Sequence, residues 1–179
     1  LPDNNNIKYI ILSKTLNDNF YEFSDNTTIV DLYKDHYLSA DLLSTLKTNN
    51  RLINVTGSIF AKENDLNNCL LLNTQKNVVE ALNANLFLVK DNIIKTPPLS
   101  DGCIKGIMRK QIIDIVTLMP DFILEEASIS PFELQKADEL FLTNVIMGIQ
   151  PITKYRKKEF ENKVARNLLG KLNVKVRLS

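Results

Sequence analysis

Residues 78–98, VVEALNANLFLVKDNIIKTPP, contain three short and mostly apolar runs divided by turn-forming residues. The runs are residues 78–81, 86–89 and 93–96. Their length and composition are typical of buried strands, and the segment KDN between the last two predicts a tight turn. Pro97 and Pro98 end the series, because proline has no backbone N–H to donate to a neighbouring strand. The stretch therefore predicts a ladder of three strands.

Weaker sequence patterns predict further helices and strands on both sides of this ladder. Apolar residues at helical spacing predict helices over residues 49–64, 104–119 and 158–172, and a capping box at 130–133 (SPFE) begins another. Further strands are predicted at residues 7–13 (IKYIILS), 29–33, 69–72, 139–145 and 174–178 (VKVRL). Clusters of strands with helices between them predict a mixed α/β, or α+β, layered fold.

Composition and charge restrict the function. Hydrophobic residues make up 44% and charged residues 24% of the 179 residues, and the formal net charge is +1. This balance gives no electrostatic reason to expect a nucleic acid or a membrane as partner, and no apolar run reaches the length of a membrane span. Cys69 and Cys103 lie far apart and His36 is the single histidine, so we expect no disulfide, no metal site and a cytoplasmic location.

Lys47 is the first candidate for chemistry. It lies in residues 44–51 (STLKTNNR), between a strand-like segment and the start of a helix, where a side chain can point into a cleft. A lysine amine in a cleft can act as a nucleophile toward an aldehyde. A solvated surface lysine is the commoner explanation of such a residue, and this alternative stays open on spacing alone.

Two further features could bind a ligand. Glu80 interrupts an apolar strand, where a carboxylate is costly without a charged or protonated partner. Gly106 lies at a helix entry, residues 104–109 (IKGIMR), whose free N–H groups and helix dipole suit a phosphate. Each has a simpler explanation, since Glu80 could lie on an exposed edge strand and many helices begin with a glycine and bind nothing.

Four segments, taken in order, resemble the class IV aminotransferases, which are the fold-type IV pyridoxal-phosphate enzymes. The segments are residues 46–55 (LKTNNRLINV), 78–98, 103–113 (CIKGIMRKQII) and 137–152 (ADELFLTNVIMGIQPI). The resemblance implies that residues 27–179 are the large cofactor-binding domain, with its strands in a barrel-like sheet flanked by helices. It also implies pyridoxal 5'-phosphate as cofactor, a small-molecule amino substrate and a homodimer.

The resemblance gives each matching residue a role. Lys47 matches the lysine that binds the cofactor's aldehyde and later moves the proton at the substrate's α-carbon. Glu80 matches the carboxylate that pairs with the protonated pyridine nitrogen. The remaining positions are the phosphate-binding helix entry Gly106, Ile107 and Met108, the ring-packing residue Ile104, and Asn144 and Val145 on a segment that helps to bind phosphate and substrate carboxylate.

Two departures from the family pattern stand out. Many of the aminotransferases have a threonine hydroxyl near the phosphate, where this chain has Val145, which can supply only its backbone N–H. The family also has a small N-terminal domain, of which residues 1–26 are expected to be the last strand and the linker. The chain begins at Leu1 without a methionine, so we expect that a preceding segment is missing and that the chain alone has weak activity or none.

Residues 47–51 (KTNNR) resemble the Lys-x-x-Asn-Arg pattern of the aminodeoxychorismate lyases, and residues 143–147 (TNVIM) also favour this branch. The expected reaction is therefore elimination of pyruvate from aminodeoxychorismate to give 4-aminobenzoate. The alternatives are a branched-chain or D-amino-acid aminotransferase, and a degenerate domain without catalytic activity. Lys47 and Glu80 argue against the last of these, because a binding module needs neither.

Overall fold

The sheet of this protein is built around the predicted ladder. The computed structural model describes residues 4–15 and 20–178, which form ten strands and four α-helices. In chain order they are β1 (Ile29–Leu38), α1 (Leu52–Glu63), β2 (Asn68–Asn73), β3 (Val78–Ala81), β4 (Asn85–Lys90), β5 (Ile93–Thr96), α2 (Ile107–Val116), β6 (Ile123–Glu126), α3 (Pro131–Lys136), β7 (Glu139–Asn144), β8 (Gly148–Ile152), β9 (Lys154–Tyr155), β10 (Lys158–Glu159) and α4 (Lys163–Leu178).

The strand pairings form a closed circuit. β1 pairs in parallel with β2, and β2, β3, β4, β7 and β8 continue the sheet through antiparallel pairings. Only Thr153 separates β8 from β9, and β9 returns to β1 in a parallel pairing. The expected barrel-like sheet is therefore confirmed, with β5, β6 and β10 attached outside the circuit.

Side-chain alternation along the strands separates two cores. On β4, Leu86 and Leu88 belong to the core that the barrel encloses, whereas Phe87 and Val89 face the other side and pack with helices α2 and α4. Strand β7 repeats the pattern, and Phe141 stacks on Phe87 with ring centroids 5.1 Å apart. Because successive strand residues point to opposite faces, both faces of β4 and β7 are apolar and buried.

Most predicted elements are confirmed, and two predicted strands are wrong. Residues 174–178 continue helix α4, whose apolar stripe, Ala165, Leu168, Leu169 and Leu172, packs against α2 and the sheet. Residues 7–13 form no strand, and their large apolar side chains are mostly exposed. Within the described ranges no other strand lies alongside them, so their backbone has no partner for a ladder. The predicted N-terminal unit, residues 1–26, lies partly outside the described residues.

The capping box is present as predicted. Glu133 accepts a hydrogen bond from the backbone N–H of Ser130 at 2.8 Å, and Pro131 occupies the first turn of α3. The sequence did not predict β6, β8, β9 or β10, which are short or, in β8, interrupted by a proline. No helix in the described part of the chain has the length and apolar character that crossing a membrane requires.

Candidate active site

One cavity of about 470 Å³ opens where the strand ends, the α2 N-terminus and the loop before α1 meet. It is lined by residues 45–47, 51, 80, 83–85, 104–108 and 143–146. All eight residues that the sequence singled out lie on this cavity, namely Lys47, Glu80, Ile104, Gly106, Ile107, Met108, Asn144 and Val145. The fold therefore brings together four chain segments that are far apart in sequence.

Lys47 lies in the loop that joins a short 3-10 helix, Leu43–Thr45, to α1. The carbonyl of Thr45 accepts a hydrogen bond from the backbone N–H of Lys105 at 2.9 Å, which holds this loop against the entry to α2. Lys47 itself is exposed, and its positive charge lowers the pKa of Glu80. The amine therefore lies close enough to the carboxylate for the two charges to interact.

Glu80 is 3% exposed and lies on β3, opposite Asn85 of β4. Its Oε2 accepts the backbone N–H of Ile104 at 2.8 Å, and Nη2 of Arg51 lies 3.4 Å from its Oε1. Burial raises the pKa of Glu80 to about 7, against the opposing effects of the Ile104 N–H, Arg51 and Lys47. Near neutral pH this carboxyl is balanced between its two forms, so a protonated ligand nitrogen beside it would favour the carboxylate.

The N-terminus of α2 forms a cradle for an anion. The first N–H groups of a helix have no intrahelical acceptor, and at Gly106 no side chain caps them, so they are available to a ligand. The helix dipole also favours negative charge there. Asn85 fixes the segment that leads into α2, because its Nδ2 donates a hydrogen bond to the carbonyl of Ile104 at 2.8 Å. A Cβ at Gly106 would overlap Oδ1 of Asn85, which explains the glycine at this position.

Asn144 and Val145 form the opposite edge of the cavity, just after β7. Oδ1 of Asn144 accepts the backbone N–H groups of Ile146 and Met147 at 2.9 and 2.8 Å, so this side chain shapes the turn. The Val145 carbonyl accepts the Tyr21 hydroxyl at 2.9 Å. The Val145 side chain is 55% exposed and contributes no hydrogen-bonding group.

Three residues of the cavity went unrecognised in the sequence. Arg51 lies in the matching segment around Lys47, and the need of a buried glutamate for a cation could have identified it. Asn85 is a polar residue at the start of a buried strand, which is a usable signal. Thr143 is buried and its hydroxyl has no hydrogen-bond partner in the described structure, a fact that no sequence pattern shows.

The donors and acceptors of this cavity fit pyridoxal phosphate. Gly106, Ile107 and Met108 present uncapped helix N–H groups for a phosphate, and the buried Glu80 suits a protonated ring nitrogen. Lys47 lines the same cavity with a primary amine that can meet an aldehyde. Within the described ranges no group of three or more His, Cys, Asp or Glu side chains is placed to hold a metal ion. The mixed α/β fold is that of the fold-type IV pyridoxal-phosphate enzymes.

The family model described as amino-transferase class IV matches residues 2–155, and the chain belongs to this family. Its relatives include an aminodeoxychorismate lyase of Vibrio harveyi, 29% identical over 137 residues, which are 74% of this chain and 50% of that protein. The mitochondrial branched-chain-amino-acid aminotransferase 1 of Arabidopsis thaliana is 42% identical over 79 residues, 44% of this chain and 20% of that protein. Both class IV aminotransferases and aminodeoxychorismate lyases are families of pyridoxal-phosphate enzymes.

Solved structures agree on the fold. The 4-amino-4-deoxychorismate lyase of Pseudomonas aeruginosa superposes with a TM-score of 0.74 at 27% identity, covering 82% of this chain and 54% of that one. The chain thus spans about half the length of the lyases it matches. Lyases and aminotransferases both occur among its relatives, and the similarity does not separate the two reactions.

Proposed function

We propose that this chain is the cofactor-binding half of a pyridoxal-phosphate enzyme that acts on a small amino substrate. One observation supports this above all others. Lys47, Glu80 and the uncapped N-terminus of α2 line a single cavity, although Lys47 and the N-cap residue Gly106 lie 59 positions apart in the chain. A glutamate on the exposed face of an edge strand would not be buried in the same cavity as a helix N-terminus, whereas Glu80 is 3% exposed.

In this proposal the buried groups hold the cofactor at its two ends. The carboxylate of Glu80 pairs with the protonated ring nitrogen, and the backbone N–H groups of Ile107 and Met108 donate to the phosphate. The backbone of Ile104 is held on both sides, since its N–H donates to Glu80 and its carbonyl accepts from Asn85. Its side chain lines the cavity and would pack on the ring. When bound, the cofactor draws electrons away from the substrate's α-carbon.

Lys47 carries the reactive group. Its Nζ would hold the cofactor through the aldehyde carbon and, when free, would accept or return a proton at the substrate's α-carbon. The exposed position of Lys47 is compatible with a residue that must exchange one partner for another. The carboxylate of Glu80, deeper in the cavity, stays in place throughout.

For the reaction we propose elimination of pyruvate from aminodeoxychorismate, which yields 4-aminobenzoate for folate synthesis. Residues 47–51 (KTNNR) and 143–147 (TNVIM) support the lyase branch by resemblance. The charges of the cavity also support it, because Lys47, Arg51 and Lys105 line it against the one carboxylate of Glu80. Aminodeoxychorismate carries two carboxylates, which such a cavity suits better than a branched aliphatic side chain.

Amino transfer from a branched-chain or D-amino acid to a 2-oxo acid is the second candidate. The similarity to the Arabidopsis aminotransferase over 79 residues supports it. Aminodeoxychorismate, and separately a 2-oxo acid with an amino donor, would be supplied to the protein together with the family's smaller domain. Pyruvate release without amino transfer supports the lyase, and robust transamination with no pyruvate release excludes it.

The same preparation tests whether the domain has lost its activity. An absorbance band that appears with added pyridoxal phosphate and disappears on borohydride treatment supports the enzyme. The Lys47→Ala variant is its control, because it keeps the cavity and removes the amine. A protein that is colourless once the free cofactor has been removed supports the degenerate alternative and contradicts our proposal.

We also propose that residues 1–26 are the end of a smaller domain with its linker, and residues 27–179 the larger domain of a homodimer. An apolar stripe on the loop before α1 and on α1 itself supports an interface, since Leu42, Leu43, Leu52, Val55 and Ile59 are all exposed. Val55→Glu should lower the sedimentation coefficient toward that of a monomer. The two free buried cysteines, Cys69 and Cys103, suit a reducing compartment, and we place the enzyme in the cytoplasm.

A further inference from the structure

A buried hydroxyl without a partner lies on the wall of the candidate cavity. Thr143 is 1% exposed, and its Oγ1 is one of four buried side-chain polar atoms in the described structure that make no hydrogen bond. The others belong to Asp101, Arg109 and Tyr155, none of which lines the cavity. A buried hydroxyl that bonds nothing costs free energy, and buried polar groups are nearly always hydrogen-bonded. At a ligand cavity, the missing partner points to a ligand atom.

The strand pattern places Thr143 beside the N-terminus of α2. Leu140 and Leu142 of β7 face the core inside the barrel, so Thr143 lies on the opposite face, toward α2. Its cross-strand neighbour is Asn85, whose Nδ2 donates to the carbonyl of Ile104, two residues before Gly106, the N-cap of α2. The unpartnered hydroxyl and the uncapped helix N–H groups thus belong to one end of the cavity.

The other side chains on this wall do not supply a hydroxyl. Val145 occupies the place of the threonine that many aminotransferases have near the phosphate, and it has no polar atom in its side chain. Thr45 also lines the cavity, but its Oγ1 already donates to the carbonyl of Leu42 at 2.8 Å. Thr143 is therefore the threonine of this cavity whose hydroxyl is still available for a ligand.

We infer that the Thr143 hydroxyl donates to the phosphate group of the bound cofactor and replaces the hydroxyl absent at Val145. The inference rests on the proposed function, since it concerns the same cavity. The phosphate is bound by N–H groups of Ile107 and Met108 from the helix and by Thr143 from strand β7. A ligand that has the aldehyde but no phosphate forms no hydrogen bond with Thr143, so its affinity does not depend on this residue.

The test compares two aldehydes that differ only in the phosphate. Dissociation constants for pyridoxal phosphate and for pyridoxal are measured by absorbance titration of the full chain and of its Thr143→Val and Thr143→Ser variants. We expect Thr143→Val to weaken the binding of pyridoxal phosphate about tenfold, which is the effect of losing one hydrogen bond to a charged group. Pyridoxal binding should stay unchanged, and serine should restore most of the loss.

Two further measurements separate phosphate binding from a structural role. Without ligand, Thr143→Val should melt at or above the temperature of the unchanged protein, because valine has nearly the same shape and buries no unpaired hydroxyl. Inorganic phosphate should raise the melting temperature of the unchanged protein more than that of Thr143→Val. The matched control is Thr45→Val, which removes a hydroxyl from the same cavity and should affect both aldehydes alike.

Equal losses for both aldehydes, or an unchanged affinity for pyridoxal phosphate in Thr143→Val, would overturn the inference and leave the proposed function intact. Stabilisation by inorganic phosphate that depends on Thr143, in a protein that does not bind pyridoxal phosphate, would support the phosphate site and overturn the proposed function. If neither inorganic phosphate nor pyridoxal phosphate stabilises the protein, both the inference and the proposed function are overturned.

Discussion

Two walls of the cavity differ in almost every physical respect. The buried wall consists of Glu80, Asn85, Met108 and Thr143, all of which are nearly inaccessible to solvent. The exposed wall consists of Leu46, Lys47, Val145 and Ile146, all of which are largely accessible. Strands β3, β4 and β7 and helix α2 carry the first wall, and the loop before α1 and the turn after β7 carry the second.

This difference in exposure indicates that one wall is preorganised for a ligand and that the other is open to solvent. The side chains of the buried wall have little conformational freedom. Glu80 and Asn85 both form hydrogen bonds with the backbone of Ile104, and Gly106 packs against Asn85. A preorganised wall of this kind can orient a ligand without reorganising when the ligand arrives. The exposed wall carries the amine of Lys47 and apolar side chains that solvent reaches, so further residues must cover it before water is excluded.

The largest expected effect belongs to the exposed wall. Lys47→Ala should reduce the rate of either proposed reaction by at least about 10³-fold, since it removes both the group that binds the aldehyde and the proton carrier. Stability should change by less than about 0.5 kcal/mol, because Lys47 is exposed. Lys62→Ala, an exposed lysine on α1, is the control. An active Lys47→Ala enzyme would refute the role of the amine.

The next effect belongs to the buried wall and concerns pH. Because the pKa of Glu80 is raised to about 7 from an ordinary 4.5, the folded chain binds more protons than the unfolded chain between these values. Its contribution to stability is therefore most favourable below pH 4.5, decreases as the pH rises toward 7, and is constant above. The total change from this group is of the order of 3 kcal/mol.

Denaturant unfolding of the unchanged protein and of Glu80→Gln, measured between pH 4.5 and 8, tests this assignment. Glutamine can still accept the N–H of Ile104 and does not titrate, so the stability of the variant relative to the unchanged protein should rise through this range. A constant difference between the two proteins would show that Glu80 has an ordinary pKa. Pyridoxal phosphate should reduce the slope if Glu80 pairs with a protonated nitrogen.

The two walls were not equally predictable from the sequence. Apolar runs predicted the strands that carry the buried wall, because a strand buried on both faces has few polar positions. Motif resemblance pointed to Lys47, Glu80 and Gly106, and the fold places all three on one cavity. The role of each residue stays a prediction, with which the arrangement of the side chains is compatible.

What the sequence did not predict depends on partners distant along the chain. The ion pair of Arg51 with Glu80 joins residues 29 positions apart, and the missing partner of Thr143 exists only in the folded chain. Residues 7–13 and 174–178 have strand-like composition, but a strand also needs a neighbouring strand. The first segment has none among the described residues, and the second follows the helical stripe of α4.

Gly106→Ala probes the rigidity of the buried wall with a smaller effect. Its Cβ would overlap Oδ1 of Asn85, so the variant should lose about 2 kcal/mol of stability, as in other overpacked sites. Gly170→Ala is the matched control, because nothing lies within 4 Å of its Cβ and alanine favours helix α4 by about 0.5–1 kcal/mol. Thermal unfolding measures both. Equal stability changes in the two variants would mean that the Asn85 side chain moves aside without a loss of stability.

Val145→Thr carries the smallest effect and connects the two walls. In the otherwise unchanged protein the substitution should alter stability by less than about 0.5 kcal/mol, because the side chain is 55% exposed. In the Thr143→Val background it should recover part of the lost affinity for pyridoxal phosphate, since it returns a hydroxyl to the edge of the phosphate cradle. Titrations of the double variant with pyridoxal phosphate and pyridoxal measure this recovery. If the double variant binds as weakly as Thr143→Val, a hydroxyl on the exposed wall cannot replace one held in the buried wall, and position 145 does not reach the phosphate.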